Sequence, residues 1–344
     1  MQQALFDSCR HSVAEATAEH FGILGHSACP AAGGCYIPEQ RPELTSIFMA
    51  VEGLEFPDFR NKISIGDLPK VVRTIPGDSP LPFDVGLLDP MVATRYTQIG
   101  GLRTKKIDFG KVSGWPMKRR VPDHIRVLLL QESKDKLLES LSIATLRQEF
   151  FPALAKLGNV VLVSPGYSVY DIGVMCEWLQ LLNMKRSIFF AYLANLYSLP
   201  CIPCIAWNRH RPRDLERLAD WLARQGDKVT HLAVNAQTGG PLLWDALSHG
   251  MAYLEEATGR TYHWLVIGGT SSVSVVYSWF PENRVTLVSA SVATYTLKHR
   301  LIGQSKTSDL SADELLRQNI EREDWRREVA GMVRPDYTTG IRLQ

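Results

Sequence analysis

Apolar residues in this chain gather into short unbroken runs, and most of these runs are separated by segments of helical periodicity. Strands that are apolar throughout, rather than alternating with polar residues, are typical of a parallel sheet covered on both faces. One separating segment, RDLERLADWLARQG, repeats its apolar residues at helical spacing and ends at Gly226, a favourable helix C-cap. The pattern predicts repeated β-α units over residues 125–305. The six predicted strands lie in IRVLLLQES, NVVLVSPGYS, PCIPCIAWNRH, VTHLAVNAQTGG, YHWLVIGGTSS and RVTLVSASVATYT.

Repeated β-α units form either a closed parallel barrel or an open, doubly wound sheet. A Gly-rich phosphate loop would favour the open sheet, and neither G-x-G-x-x-G nor G-x-x-x-x-G-K-[ST] occurs in the sequence. We therefore favour a TIM-barrel-like α/β fold, incomplete or decorated. A full barrel needs eight strands, so the part before residue 125 must supply the remainder. TSIFMAVEG and LPFDVGLLD are its best strand candidates.

The chain is predicted to have three parts. Residues 1–124 form an irregular N-terminal part that contributes strands to the main domain, and residues 125–305 form the barrel-like core. Residues 306–344 form a C-terminal tail, in which SDLSADELLRQNIEREDWRREVAGMV opens with Ser and Asp caps and indicates a charged, exposed helix. The residues expected to pack one side of that helix are Leu315, Leu316, Ile320 and Trp325.

The overall composition narrows the class of protein. Of the 344 residues, 45% are hydrophobic and 22% charged, which is the balance of a globular rather than a disordered chain. The formal net charge of +2 is too small to indicate nucleic-acid binding by itself. The N-terminus lacks a signal-peptide pattern and no apolar stretch is long enough to span a bilayer. We expect a cytoplasmic protein with no membrane partner, and its oligomeric state stays open.

The six cysteines do not indicate a disulfide scaffold in a chain of this length. Cys201 and Cys204 in CIPCIAW have the spacing of a redox or zinc motif. They lie in an apolar strand rather than at the start of a helix, so we expect buried structural thiols, with a redox or metal role as the alternative. His26, Cys29 and Cys35 form a looser zinc candidate without a matching second pair. We predict neither a metal nor a cofactor.

Three features in the middle of the chain carry a family resemblance: the run VSPGYSVYD, spaced Gln, Asn and Arg residues in the next helix, and the pattern P-x-I-P-x-I-x-W. Over about residues 150–275 the chain resembles the domain of unknown function 4417 family of phages, plasmids and bacterial genomes. That family has no established activity, and the resemblance implies a mobile-element background that favours a nucleic-acid role. Gly166 stands where the family usually has an acidic residue, which weakens a catalytic role there. The residues concerned are Ser164, Pro165, Tyr167, Ser168, Tyr170, Gln180, Asn183, Arg186, Ala191, Tyr192, Pro203 and Trp207.

Ligands of parallel α/β folds bind at the carboxyl ends of the strands, and we expect the polar strand ends of this chain to converge on one rim. In WNRHRPRD the arginines match phosphate geometry and the Trp can stack on a base; the alternative is a solvated loop in which Asp214 starts the helix. IGGTSS resembles an anion cradle, or it is an ordinary turn with Ser/Thr caps. The predicted substrate-binding residues are Tyr167, Trp207, Asn208, Arg209, Arg211, Asn235, Gln237, Gly268, Gly269, Thr270, Ser271 and Ser272.

Few residues at the strand ends can move protons. Glu132, Asp171 and His210 are the catalytic candidates, and Asp84 and Asp89 join them if LPFDVGLLD is a barrel strand. Each carboxylate has the alternative role of capping a helix or pairing with a nearby Arg. The sequence contains no nucleophile elbow and no H-E-x-x-H motif.

Residues 102–126 are the most basic stretch of the chain, with eight Lys and Arg against two Asp. Such a loop can follow a phosphate backbone while an aromatic side chain stacks on a base, or it can be a solubilising connection. The predicted nucleic-acid-binding residues are Lys105, Lys106, Lys111, Trp115, Lys118, Arg119 and Arg120.

Together these features predict an enzyme that acts on an anionic, phosphate-bearing substrate, most plausibly a nucleotide or nucleic acid. Hydrolysis or base exchange at a glycosidic or phosphoester bond suits the predicted residues. The alternative is a non-catalytic DNA- or RNA-binding protein of a mobile genetic element, which would use the 102–126 stretch and the same arginines.

Overall fold

Eight parallel strands form a single sheet at the centre of the molecule. The computed structural model describes residues 47–75, 81–88, 90–96, 121–130, 143–167, 169, 177–237, 241–268 and 273–332. The strands are β1 (Val71–Thr74), β2 (Met91–Arg95), β3 (Arg126–Leu130), β4 (Val160–Val163), β5 (Cys201–Ile202), β6 (His231–Asn235), β7 (His263–Ile267) and β8 (Val285–Ser289). Their order in the sheet is β5-β4-β3-β2-β1-β8-β7-β6.

The two ends of that order meet, so the sheet curves into a nearly closed barrel. Just beyond β5, Cys204 forms a parallel bridge with Ala233 of β6. The amide of Ala233 donates to the Pro203 carbonyl at 2.8 Å, and the amide of Ile205 donates to the Ala233 carbonyl at 2.9 Å. The TIM-barrel-like α/β fold is therefore confirmed, and the six strands predicted after residue 125 are all present.

Helices connect the strands from β3 onwards. A helical segment between β3 and β4 consists of α1 (Ile143–Thr145), the π-helical turn Leu146–Phe150 and α2 (Phe151–Ala155). The remaining helices are α3 (Glu177–Leu196), α4 (Pro212–Gln225), α5 (Pro241–Thr258), α6 (Val273–Trp279), α7 (Ser291–Leu297) and α8 (Ala312–Met332). Gly226 ends α4 with a φ of 56°, as the sequence predicts. Among the helices that the structure describes, none has the length and apolar character that crossing a membrane requires.

The two N-terminal strands lie elsewhere than the sequence predicts. TSIFMAVEG contains a helical turn at residues 47–50, and LPFDVGLLD contains the 3-10 helix Val85–Leu87. Asp84 caps that helix by accepting a hydrogen bond from the Gly86 amide at 2.8 Å, so it does not end a barrel strand. The true strands, β1 and β2, come from VVRT and MVATR. Neighbours on both sides complete the hydrogen bonding of such short strands, so they need no long apolar run of their own.

The last helix, α8, is fastened to the first strand by a buried ionic network. Arg73 of β1 is 2% exposed; its Nε donates to Glu323 Oε2 at 3.0 Å and its Nη2 to Asp324 Oδ1 at 2.7 Å. The hydroxyl of Ser289, at the end of β8, donates to the other oxygen of Glu323. Burial raises the pKa of Glu323, while Arg73 and Ser289 oppose that rise. This network therefore holds helix α8 against strands β1 and β8.

The helix predicted in the C-terminal tail is confirmed, but one of its packing residues is not. Leu315 and Leu316 are buried as predicted, and Ile320 is partly buried against the core. Trp325 is 63% exposed. The prediction failed there because the charged side chain of Glu323, rather than an apolar one, occupies the inward face of this turn.

The segment before β1 packs across the amino end of the barrel. The amide of Phe59 donates to Gln225 Oε1 at 2.8 Å, and the amide of Ile63 donates to the Lys228 carbonyl at 2.9 Å. His231 and His263, the first residues of β6 and β7, stack there with ring centroids 5.1 Å apart. Burial is the largest cause of a lowered pKa for both, to about 4 for His231.

Candidate functional site

A cavity of about 410 Å³ opens at the carboxyl end of the barrel, which we call the mouth. It lies on the β1–β8 side, and its lining comes from the ends of β1, β2, β3 and β8, from the residues after β6 and β7, and from α7. Arg95, the last residue of β2, supplies the positive charge of the lining, so we call this space the Arg95 cavity. The polar residues of the lining are Thr74, Thr94, Arg95, Gln237, Ser289, Ser291 and Thr294.

The hydroxyl of Ser289 is held in a fixed position in the wall of the Arg95 cavity. It donates to the carboxylate of Glu323 on α8 and accepts a hydrogen bond from the amide of Ser291 at 3.2 Å. Ser291 is the first residue of α7, whose short length follows from the turn at Lys298. The chain thus turns directly after β8 and places the backbone amide of Ser291 against the hydroxyl of Ser289.

Gln237 and Gly268 bring the ends of β6 and β7 close together. Asn235 Oδ1 accepts a hydrogen bond from the Gln237 amide at 2.9 Å, which fixes the turn after β6. Gly268 has a φ of 122°, and a Cβ at this position would lie 2.8 Å from the Gln237 nitrogen. Only glycine allows this approach. The prediction that Gln237 and Gly268 belong to one rim agrees with their shared position in the Arg95 cavity.

A second polar group lies at the mouth beside β4. The guanidinium carbon of Arg186, on α3, lies 3.8 Å from the ring centroid of Tyr167, and Arg186 Nη1 donates to Asn183 Oδ1 at 3.3 Å. We call Tyr167, Asn183 and Arg186 the β4 cluster. All three are buried, with Arg186 only 8% exposed. The cluster unites residues that carry the family resemblance and that are far apart in the sequence.

The backbone that presents Tyr167 is fixed by two buried hydroxyl groups. Ser164 Oγ accepts a hydrogen bond from the Cys204 amide at 2.7 Å, and Ser187 Oγ donates to the Pro165 carbonyl. The segment also crosses toward β6, because a Cβ on Gly166 would lie 3.6 Å from Asn235 Nδ2. Residues 164–167 therefore run close to the ends of the neighbouring strands β5 and β6.

The loop after β5 is anchored by Asn208. Its amide nitrogen Nδ2 donates to Gln180 Oε1 at 3.2 Å, and its backbone amide donates to Asp214 Oδ2 at 3.2 Å. Its Oδ1 accepts from the His210 amide at 2.9 Å. Asn208 therefore ties α3 to the start of α4, and its side chain is 5% exposed.

The arginines of that loop differ in their surroundings. Arg211 pairs with the fully buried Asp214 at 2.7 Å, an ion pair at the start of α4. This pair matches the alternative in which Asp214 begins the helix. Arg209 and His210 are exposed, and Arg209 Nε donates to His210 Nε2 at 3.2 Å. Phosphate binding by Arg209 stays a prediction.

Trp207 has a packing partner that explains much of its position. A Cβ placed on Gly250 of α5 would overlap the indole, with Nε1 at 2.7 Å. The indole is thus pressed against the backbone of α5 and is only partly exposed. Stacking on a base, as predicted for this residue, would have to use the side of the ring that α5 leaves open.

Cys201 and Cys204 are buried free thiols, as the sequence predicts. Burial raises the pKa of the Cys201 thiol well above its ordinary value. In the described ranges, no three His, Cys, Asp or Glu side chains are placed to hold a metal ion together. The zinc candidate, His26 with Cys29 and Cys35, lies outside those ranges.

Several predicted site residues lie outside the part of the chain that the structure describes. They include two of the three catalytic candidates, the remainder of the IGGTSS loop and the whole basic set, and these roles stay predictions. The residues are Glu132, Asp171, Gly269, Thr270, Ser271, Ser272, Lys105, Lys106, Lys111, Trp115, Lys118, Arg119 and Arg120, together with Asp89.

Sequence reasoning missed the contribution of β1 and β2 to the mouth. Thr74, Thr94 and Arg95 were not considered because their strands were placed elsewhere. The available signal was the run MVATR, in which apolar residues end in a polar pair. Arg186 was named only through the family resemblance, and nothing in its helix pattern indicated its contact with Tyr167.

Comparisons with known proteins add little to this geometry. No protein-family model matches the chain, and no curated protein matches it. A solved structure of a monomeric dihydrodipicolinate synthase variant is similar over 79% of this chain and 82% of its own, with 15% sequence identity and a TM-score of 0.35. That likeness carries no information on activity, and the resemblance to the domain of unknown function 4417 family stays a prediction.

Proposed function

We propose that this protein is an enzyme whose small, anionic substrate binds in the Arg95 cavity. The cavity volume of about 410 Å³ falls within the range of roughly 300–1,000 Å³ that is common for small-molecule sites. It lies at the end of the barrel where TIM-barrel enzymes have their active sites. The observation that carries the proposal is that Arg95 shares this cavity with Ser291 and Thr294, whose hydroxyl groups can donate to an anion.

The charge of the lining supports an anion. The guanidinium of Arg95 can offer two parallel N–H donors to a phosphate or carboxylate, and neighbouring hydroxyl groups can donate to the remaining oxygens. Among the described residues, no Asp or Glu lines the cavity to repel such a group. The hydroxyl of Ser289 donates its proton to Glu323, so the donors for the anion are Arg95 and the hydroxyl groups of Ser291 and Thr294.

The substrate would be a small molecule that bears a phosphate or carboxylate group. The finer prediction of a nucleotide or nucleic-acid substrate depends on Glu132, Asp171 and the basic residues at 102–120, which lie outside the described ranges. The enzyme would bind and orient its substrate with Arg95 and the hydroxyl groups.

Thermal unfolding in the presence of inorganic phosphate or oxalate, at constant ionic strength, tests the binding step. A ligand at a hundred times its Kd stabilises the folded state by about 2.7 kcal/mol, so the Tm of the wild type should rise. Arg95→Met should abolish most of that rise. Arg224→Met, which removes an exposed arginine paired with Asp58, is the matched control and should retain it.

Turnover is tested by incubating the protein with a mixture of small phosphorylated and carboxylated metabolites and following the mixture by mass spectrometry. We expect the wild type to consume at least one component, and Arg95→Met to do so at least a hundredfold more slowly. Equal binding and equal turnover by the wild type and Arg95→Met would overturn the proposal.

A further inference from the structure

The β4 cluster contains a buried guanidinium without an ionic partner in the described residues. Arg186 is 8% exposed, and its contacts are the Asn183 amide oxygen at 3.3 Å and the face of the Tyr167 ring at 3.8 Å. Both groups are uncharged at neutral pH. No carboxylate of the described residues forms an ion pair with it. Charges buried in proteins are normally paired, because removing them from water is costly.

Lys185, the residue before Arg186, is a second cation that is removed from water. Lys185 is also buried, its Nζ donates to the Glu55 carbonyl, and burial lowers its pKa to about 8. A lysine can release its proton when its surroundings disfavour the charge. An arginine cannot, because its guanidinium stays protonated in proteins. Arg186 therefore keeps a full positive charge at the mouth.

Two neighbours contact different parts of the Arg186 guanidinium. Tyr167 covers one face of the plane, and Asn183 accepts from one nitrogen, Nη1. A guanidinium carries five N–H donors in its plane, so the others have no acceptor in the described residues. Ser164 and Ser187 fix the backbone next to Tyr167 through hydrogen bonds. The Tyr167 ring in turn packs on the plane of the Arg186 guanidinium and orients it.

We propose that the β4 cluster is a receptor for a small oxyanion, separate from the Arg95 cavity. Arg186 would donate through its edge to two oxygens of one carboxylate, phosphate or sulfate group. Asn183 and Tyr167 are positioning residues that hold the guanidinium in plane. The proposal does not depend on the Arg95 cavity, because neither Arg186 nor Tyr167 or Asn183 lines that cavity.

The test uses Arg95→Met as the background, so that the β4 cluster is measured without the first site. Phosphate, sulfate, acetate and oxalate are titrated separately at constant ionic strength set by NaCl, and the Tm is recorded. We expect at least one oxyanion to raise the Tm in this background. In Arg95→Met/Arg186→Met its apparent affinity should fall at least tenfold, and Arg186→Lys should lose most of it because a lysine lacks the planar pair of donors.

A charge-matched control and a measurement on the wild type complete the test. Arg224→Met, combined with Arg95→Met, removes an exposed arginine paired with Asp58 and should leave the affinity unchanged. In ¹⁵N NMR of the wild type, the Nε–H signal of Arg186, assigned by its absence in Arg186→Lys, should shift on titration with the same oxyanion. Equal affinity with and without Arg186, or an unmoved Nε–H signal at saturation, would overturn the proposal.

Discussion

Arg73 and Arg186 are both buried in the carboxyl half of the barrel, yet their surroundings differ in charge. Arg73 meets the carboxylates of Glu323 and Asp324 at 3.0 and 2.7 Å. Arg186 meets an amide oxygen and an aromatic ring. The first arrangement is complete within the protein and connects β1 to α8. The second leaves a charge that an external anion can neutralise, which is why burial alone does not separate a structural arginine from a binding one.

The amino end of the barrel deals with buried positive charge in a third way. His231 lies against His263 and near Arg126, and burial lowers its pKa to about 4, so at neutral pH it is uncharged. Arg126 itself donates to the backbone carbonyls of Ile65 and Asp67. The described part of the barrel thus buries basic side chains in three ways: Arg73 is paired with carboxylates, His231 is uncharged, and Arg186 contacts only uncharged groups. Each arrangement predicts a different response of the unfolding free energy to substitution.

The largest effect is expected for Arg73→Met. Removing one partner of a buried ionic network leaves Glu323 without its guanidinium, and such changes cost roughly 3–5 kcal/mol of unfolding free energy. Urea unfolding at pH 7 measures the loss. In Arg73→Met/Glu323→Gln the combined loss should be smaller than the sum of the two single losses. A loss below about 1 kcal/mol for Arg73→Met would remove the contrast with Arg186.

A smaller effect is expected from acid at His231. The pKa is about 4 in the folded protein and ordinarily near 6.5, so between these values the unfolded chain takes up a proton that the folded protein does not. Stability should therefore fall as the pH drops from 6.5 to 4, by up to about 3 kcal/mol from this group.

Urea unfolding at pH 6.5, 5 and 4 checks this dependence. His231→Gln should lack that part of the slope, whereas His124→Gln, at an exposed position, should retain it. Equal slopes for His231→Gln and the wild type would mean that His231 accepts a proton in the folded protein at no cost in stability. A buried cation would then need no counter-charge in this barrel, which would contradict the argument made for Arg186.

The smallest effect on stability is expected for Arg186→Met in a chloride buffer without oxyanions. The substitution keeps most of the packing on Tyr167 and leaves no carboxylate unpaired, so the unfolding free energy should change by less than about 1 kcal/mol. The same urea titration that is applied to Arg73→Met measures it. A loss of 3 kcal/mol or more would place Arg186 with Arg73 as a structural residue.

The barrel core could be predicted from the sequence because the strands from β3 onwards lie in apolar runs that segments of helical periodicity mostly separate. β1 and β2 end in the polar pairs Arg-Thr and Thr-Arg, and β1 lies in a Pro/Gly-rich stretch, so their pairing partners rather than their own sequence define them. The same error removed Arg95 from the predicted site. Gln237 and Gly268 were predicted from the rule that sites lie at strand ends, which needs only the strand itself, and both line the Arg95 cavity; their role in binding stays a prediction.

Contacts between distant segments were beyond sequence reasoning. Nothing near Arg73 in the sequence indicates its partners on α8, and Trp207 gives no sign that Gly250 will lie beneath it. Arg186 sits in a helix that is apolar on nearly every side, so its spacing shows burial but not the absence of a counter-charge. Sites assembled from several segments depend on such contacts.

The bridge from Arg73 to Glu323 joins residues 250 positions apart. During translation the first barrel strand is therefore made long before the helix that neutralises it. A nascent chain that has not yet reached Ala312 contains all eight strands but lacks Glu323 and Asp324, so these two carboxylates reach Arg73 only after the sheet has been made. Ribosome stalling ahead of α8 would leave the hydroxyl of Ser289, a residue that lines the Arg95 cavity, without its acceptor on α8.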